Sequence, residues 1–297
     1  MAVGYLLSRT GFWSGTMLSD FNRFVFKIAL PCLLFRQSYQ TDFSAGSGIK
    51  LPLFGVVFAV SLVAALWIFT PKFLPDPHRA ASVIQGIFRT NIALFGLPLA
   101  INLFGEQNTG DMILMVAFMV PLFNVMAVVV LSSFSGAAAK PKTADVIKDI
   151  LSNRLIWGVL LGLFVAGYGI KMPDVLLRPI ADLGATATPL SMLSLGGQFS
   201  FKSAAQNRCT LFWACAMRLV FVPAAAVAAG VLCGFSGPAI GAIFIVFGAP
   251  TAASSYIMAQ TMRADGELAG EIVVFSTMLS VFTIFAGTVA LRSFSLI

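Results

Sequence analysis

Two short stretches of this 297-residue chain place a glycine and a proline inside apolar sequence, in the pattern Phe-Gly-x-Pro. Proline removes a helical hydrogen bond, and the preceding glycine makes unwinding easier. The helix N-terminus that such a break exposes attracts anionic groups. Gly96, Pro98, Gly248 and Pro250 are therefore candidate binding residues for an anion. Either break alone would be read as an ordinary packing kink, but the occurrence of two favours a site.

Polar residues surround both breaks. Asn91 lies seven residues before the first proline, and its amide is costly to bury without a partner, so we favour a role in binding. Thr251, Ser254 and Ser255 follow the second proline. Their hydroxyls either face the site or satisfy carbonyls that the break frees, and both alternatives remain open. Arg89 is a further polar residue beside the first break.

Arg218 is the most costly residue of the sequence to place in a membrane. It lies about ten residues into an apolar segment, or roughly 15 Å deep in a helix. An arginine at that depth costs about 2.5 kcal/mol or more on insertion scales. We favour an anion contact or a moving counter-charge, and the alternative is a salt bridge to Asp182 or Glu271.

No residue pattern in the sequence predicts a metal site, a cofactor or an enzyme. His78 is the only histidine, and the four cysteines lack the spacing of metal ligands. A nucleophile with its base, or a Gly-x-Ser-x-Gly motif, would be needed for an intramembrane enzyme, and neither is present. A channel would require a filter or a ring of repeated residues, which is also not visible.

The amino-acid composition indicates the class of fold that positions these residues. Of the chain, 58% is hydrophobic and 10% is charged, and the mean hydropathy is +0.92. Soluble domains carry about 25% charged residues. We therefore predict an all-α polytopic membrane protein with the lipid bilayer as its solvent. Basic loops on one membrane side explain the net charge of +7 better than nucleic-acid binding does.

Apolar runs predict nine membrane spans, each long enough to cross the bilayer. They cover residues 19–39, 51–70, 81–104, 111–134, 153–170, 175–199, 210–233, 238–262 and 268–292. Residues 1–9 resemble the end of a further helix, so we expect ten helices with the first one incomplete. The more basic loops predict that the long central loop is cytoplasmic and the C-terminus lies outside.

The central loop, residues 135–152, divides the chain into a first half, 1–134, and a second half, 153–297. The two Phe-Gly-x-Pro segments align between the halves. Because five spans is an odd number, the second half must enter the membrane from the opposite side. We therefore expect two inverted five-helix repeats, an arrangement in which broken helices at matching positions indicate a transporter's binding site.

These segments resemble the auxin efflux carrier (AEC) family of bacterial permeases, which are related to the plant PIN auxin carriers. The matching residues are 23–36, 89–105, 121–124, Arg218 with Pro223, and 247–280. The resemblance covers essentially the whole chain apart from the incomplete first helix. In one departure, Asn153 is followed by Arg154 where relatives usually have Asn-Pro, so no role is carried over there.

The resemblance implies a ten-helix fold in which broken helices four and nine cross at their prolines. It implies transport of a small organic anion by an elevator movement, with malate, malonate or an auxin-like acid as candidates. It places Asn91 at the substrate carboxylate and adds Asn124 to the site residues. We expect a carrier in the bacterial inner membrane. Another solute class, an anion channel of the same fold, and assembly as a homodimer remain open alternatives.

Overall fold

The computed structural model describes residues 1–40, 48–134 and 152–297. The predicted central loop, 135–152, therefore lies almost wholly outside the described residues. Within them the chain forms helices and no β-strand, with one isolated antiparallel bridge between Thr90 and Thr251. The helices before the central loop are α1 (Ala2–Arg9), α2 (Gly15–Phe24), α3 (Leu30–Tyr39), α4 (Lys50–Phe73), α5 (Pro77–Phe88), α6 (Ile92–Phe104) and α7 (Gly110–Phe134).

The helices after the central loop are shorter on average, because several spans are divided. They are α8 (Arg154–Gly167), α9 (Asp174–Ala185), α10 (Ala187–Gln198), α11 (Phe201–Gln206), α12 (Arg208–Ala216), α13 (Val222–Leu232), α14 (Pro238–Gly248), α15 (Ser254–Thr261) and α16 (Gly266–Ser293). Among the described residues, four helical segments are long and apolar enough to cross a membrane: α4, α7, α12 joined to α13, and α16. The prediction of an all-α membrane protein is confirmed.

Three predicted spans are each interrupted by non-helical residues that separate two helices. The span 81–104 is α5 and α6, the span 175–199 is α9 and α10, and the span 238–262 is α14 and α15. The interruptions at 89–91 and 249–253 leave backbone groups that no longer bond within a helix. In hydrocarbon such groups require other partners, so both interruptions must be buried in protein or line a cavity.

Two π-helical turns each end two residues before a proline. Val25–Ala29 joins α2 to α3 ahead of Pro31, and Met217–Phe221 joins α12 to α13 ahead of Pro223. A proline ring collides with the carbonyl four residues back and leaves it without a donor. Widening the preceding turn accommodates that collision, and both helices continue in the same span.

The helices pack as two groups. The first bundle consists of α1, α2, α3, α8, α9 and α10, with α3 against α8 as its most extensive contact. The second bundle consists of α4 to α7 and α12 to α16 and contains both interrupted helices of the crossing. The bundles meet where α10 contacts α15 and where α7 contacts α3 and α8.

Two glycines of α8 allow it to approach α3 closely. A Cβ atom on Gly158 would lie 2.7 Å from the Pro31 carbonyl oxygen, and one on Gly162 would lie 2.5 Å from that of Phe35. Small residues at four-residue spacing are a common way for membrane helices to pack closely, and these two glycines serve that purpose.

We predict that Gly162→Ala lowers the unfolding temperature of the protein in lipid nanodiscs, because the added methyl group collides with the α3 backbone. Overpacking of this kind costs about 1–3 kcal/mol. Gly167→Ala is the matched control on the same helix, since nothing lies within 4 Å of a Cβ there. Equal unfolding temperatures for the two variants would contradict this packing.

Candidate functional site

The two interrupted helices satisfy each other's backbone. The amide of Asn91 donates to the carbonyl of Pro250 at 2.8 Å, and the amide of Ala252 donates to the carbonyl of Arg89 at 3.3 Å. Thr90 and Thr251 thereby form the isolated antiparallel bridge. Two unwound segments can therefore cross inside the protein without leaving these groups unpaired.

The crossing is not at Pro98, and this part of the sequence prediction is wrong. Pro98 lies inside α6 and is exposed, and its carbonyl accepts a hydrogen bond from the Asn102 side chain at 2.8 Å. The segment that pairs with Pro250 is 89–91, which contains neither proline nor glycine. The two Phe-Gly-x-Pro stretches are thus alike in residue type but do not occupy matching places in the crossing.

The glycines of the two motifs also differ in their roles. A Cβ on Gly96 would lie 2.4 Å from the Met112 side chain, so this glycine allows α6 to pack on α7. Gly248 is the last residue of α14, and a Cβ there would meet only ordinary contacts, the nearest at 3.4 Å. Gly96 thus serves helix packing, and Gly248 ends α14. Neither glycine lines the cavity at the crossing.

The C-terminal ends of α5 and α14 meet at Arg218. Its Nε donates to the carbonyl of Ala249 at 3.0 Å, and its Nη1 donates to the carbonyl of Ile87 at 3.0 Å. Nη2 donates to the Ala249 carbonyl as well. A helix C-terminus carries partial negative charge, so one fully buried guanidinium stabilises two helix ends at once.

Arg218 therefore has a different partner from the one expected. In the described part of the chain neither Asp182 nor Glu271 forms a salt bridge with it, and its side chain does not line the cavity at the crossing. Thr251 acts beside it: its hydroxyl donates to the carbonyl of Gly86 at 2.7 Å, and its amide donates to the Ser276 hydroxyl at 3.2 Å. For Thr251 the structure favours the alternative in which the hydroxyl satisfies a freed carbonyl.

On the other side of the crossing lies a cavity of about 200 Å³ between the two bundles. Three of the predicted site residues line it, namely Asn91, Asn124 and Ser254. The first bundle supplies residues of α3 and Thr188 of α10 to the opposite wall. Within the described residues the Asn91 side chain has no hydrogen-bond partner, so its amide is free to bind a solute.

Arg89 supplies the positive charge of the cavity, and sequence reasoning assigned it no role. It is 4% exposed, and its Nη2 donates to Oδ1 of Asn124 at 2.6 Å. Its Nη1 lies 3.4 Å from the Ser255 hydroxyl, and no carboxylate in the described residues pairs with it. The Asn124 side chain donates in turn to the carbonyl of Val120, so it positions the arginine. The sequence did contain a signal for this role, because Arg89 lies two residues before Asn91 and inside a predicted membrane span.

Two helix N-termini also reach this cavity. α6 begins after Asn91 and α15 begins after Ala253, and neither N-terminus has a side-chain cap. Ile92 and Ser254, the first residues of these helices, both line the cavity. A helix N-terminus offers free amide donors and partial positive charge. With the Arg89 guanidinium, the site has the chemistry to bind a small anion.

The helical fold and the cavity at the crossed segments define an integral membrane protein with a buried polar site. Residues 1–152 and 142–286 match the family described as membrane transport protein, and the chain belongs to that family. The resemblance to auxin efflux carriers is thereby confirmed. The protein is a membrane transporter and not an enzyme.

Two relatives extend over nearly the whole chain. An "Uncharacterized transporter" of Methanothermobacter thermautotrophicus is 22% identical over 284 residues, which is 95% of this chain and 92% of that protein. A "Putative malonate transporter" of Rhizobium meliloti is 23% identical in an alignment of length 296 that covers 95% of this chain and 89% of that protein.

We predict that Arg218→Gln lowers the unfolding temperature of the protein and its folded yield. Each buried carbonyl that is left without a donor costs about 1–3 kcal/mol. Arg208→Gln, an exposed arginine of the helix that leads to Arg218, is the control and should match the wild type. An Arg218→Gln protein that unfolds at the wild-type temperature but has lost carboxylate binding would contradict the assignment to helix ends.

Proposed function

We propose that this transporter carries a small organic anion, with a carboxylate such as malonate or malate as its substrate. The observation that carries the proposal is the convergence of Arg89 and two uncapped helix N-termini on one cavity. Asn91, with a free amide, completes the set of groups that would hold a carboxylate. The printed name of the Rhizobium meliloti relative, a "Putative malonate transporter", supports this substrate class.

The size of the cavity supports a small substrate. Its volume of about 200 Å³ is below the roughly 300–1,000 Å³ of typical pockets for drug-sized ligands. Leu30, Leu33 and Leu34 of α3 form an apolar wall opposite the polar groups. A three- or four-carbon acid could place a carboxylate at Arg89 and its carbon chain along the leucines.

An elevator movement is the mechanism that this distribution of residues favours. The groups that would bind the anion, including Arg89, Asn91 and Ser254, belong to the second bundle. The first bundle contributes a mainly apolar wall. A sliding of the second bundle against that wall would carry the anion with its binding groups and expose it alternately on the two sides of the membrane.

The inverted repeat and the orientation belong to the same proposal. We place the halves at 1–134 and 153–297, joined by a cytoplasmic loop, with the C-terminus outside and the inner membrane as the location. The symmetric pairing of Arg89 with Ala252 and of Asn91 with Pro250 supports two halves related by a twofold axis through the bridge. In this register Thr90, not Pro98, is the counterpart of Thr251.

We predict that Asn91→Ala abolishes carboxylate uptake into proteoliposomes without lowering expression. Arg89→Lys should raise the half-saturation concentration about tenfold or more, because hydrogen bonds to charged groups contribute about 1.5–3 kcal/mol each. Asn102→Ala, on the exposed side of α6, is the control and should transport like the wild type. Unchanged uptake by Asn91→Ala would remove this cavity as the substrate site.

The same vesicles distinguish a carrier from a channel. We expect saturable uptake of labelled malonate and a transient accumulation when unlabelled malonate is preloaded, because a carrier exchanges substrate across the membrane. Linear, non-saturating flux without counterflow would indicate a channel. Uptake of neutral or cationic solutes in preference to every carboxylate tested would contradict the anion proposal.

A further inference from the structure

A second cavity, of about 400 Å³, lies between the bundles and shares no lining residue with the first. Its walls come from the end of α10 and the residues after it, from α15, and from the first turns of α16. The residues are Leu195, Gln198, Phe199, Ser200, Tyr256, Gln260, Glu267 and Glu271. The proposed anion site makes no use of this cavity.

Glu271 is the unusual residue of this cavity. It is 1% exposed, and its Oε2 accepts a hydrogen bond from Nδ2 of Asn207 at 2.8 Å. Its other oxygen, Oε1, has no hydrogen-bond partner in the described residues, and the Ser203 hydroxyl is the other polar group close to this carboxylate. No lysine, arginine or histidine nitrogen of the described residues lies within 4.0 Å of the carboxylate. A buried ionised carboxylate without a cation is costly, whereas a protonated one is neutral and can donate a hydrogen bond.

One positive charge is connected to Glu271 through an amide side chain. Arg79, on α5, donates to Oδ1 of Asn207 at 2.8 Å. Because that oxygen faces the arginine, the amide nitrogen of Asn207 faces Glu271 and fixes its Oε2. This arrangement holds the carboxyl group in place while leaving Oε1 open to a proton.

The other titratable groups on the surrounding helices do not neutralise a carboxylate at this position. Asp265 and Glu267, at the start of α16, add negative charge nearby. Tyr256 on α15 is uncharged, and its hydroxyl accepts a hydrogen bond from Asn22. Lys202 and Arg208, from α11 and α12, are exposed. Arg218, which packs close to α16, is bound to backbone carbonyls.

The cavity beside Glu271 lies between the two bundles, so a movement of one bundle against the other changes its walls. A hydrogen-bonded chain joins the bundles here: Ser194 and Tyr256 both contact Asn22, and Asn22 donates to Gln260. Any sliding of the second bundle must break this chain and change the wall that faces Glu271. α15, which carries Tyr256, begins at the anion cavity, so one rigid helix connects the two sites.

We propose that Glu271 is a proton-binding site that couples carboxylate transport to proton movement. The inference rests on the proposed function. Water on one side of the membrane gives a proton to Oε1, which forms the neutral carboxylic acid. The second bundle then moves with the acid and the substrate anion, and Oε1 returns the proton to water on the other side. One proton carried with one malonate dianion moves one net negative charge per cycle, so the membrane potential acts on transport together with the pH gradient.

The test uses the purified full chain in proteoliposomes with labelled malonate and an internal pH dye. With the membrane potential held at zero by potassium and valinomycin, an inward proton gradient of one pH unit should drive about tenfold accumulation of malonate by the wild type. Glu271→Gln should remove this accumulation and the substrate-dependent proton influx, while counterflow exchange continues at close to the wild-type rate. Asp182→Asn, an exposed carboxylate on α9, is the control and should behave like the wild type.

Three results would overturn the proposal: accumulation by the wild type that does not depend on the proton gradient, accumulation that persists in Glu271→Gln, or loss of counterflow together with accumulation in a folded Glu271→Gln protein. The last would make Glu271 a structural residue. If the wild type shows no counterflow with any carboxylate, the proposed function is wrong. That failure can be told apart from a failure of the proton-site proposal, because protonation of Glu271 can be observed without substrate.

That observation is the infrared carbonyl band of a protonated carboxyl group. We expect a band that appears on mild acidification of the wild type and of Asp182→Asn but is missing in Glu271→Gln. A titrating band that persists in Glu271→Gln, or no such band in the wild type, would overturn the assignment of the proton site.

Discussion

Inside a bilayer an unpaired backbone amide or carbonyl costs several kcal/mol, so a transmembrane helix can be interrupted only where other groups replace its lost hydrogen bonds. This chain meets that requirement by crossing two interrupted helices. The carbonyls of Arg89 and Pro250 each accept an amide from the opposite segment. The interruptions therefore depend on each other, and the placement of the surrounding helices depends on both.

The crossing also places the negative and the positive helix ends on opposite sides. The C-terminal ends of α5 and α14 converge on Arg218, which satisfies their carbonyls in a fully buried position. The N-terminal ends of α6 and α15 converge on the other side, where Arg89 adds positive charge. Two buried arginines close to one crossing thus have different roles: one stabilises negative helix ends, and the other stands where positive helix ends meet a cavity.

The sequence predicted an all-α membrane protein, because composition and the lengths of apolar runs are local signals. Three of the expected site residues, Asn91, Asn124 and Ser254, line the cavity. The sequence did not predict the crossing at 89–91, since that break contains neither proline nor glycine and exists only through pairing with a distant segment. The cost of burying Arg218 was correctly recognised, but its partners are backbone carbonyls, which no residue pattern shows. The open oxygen of Glu271 is likewise visible only when its neighbours in three dimensions are known.

In the proposed site the two helix N-termini at the crossing and Arg89 together bind the substrate carboxylate. An experimental structure of the protein in lipid nanodiscs, determined with and without malonate, tests it most directly. We expect malonate density between Asn91 and Ser254, with a carboxylate within hydrogen-bonding distance of the Arg89 guanidinium. Density beside Arg218, or none at the crossing under saturating malonate, would contradict it.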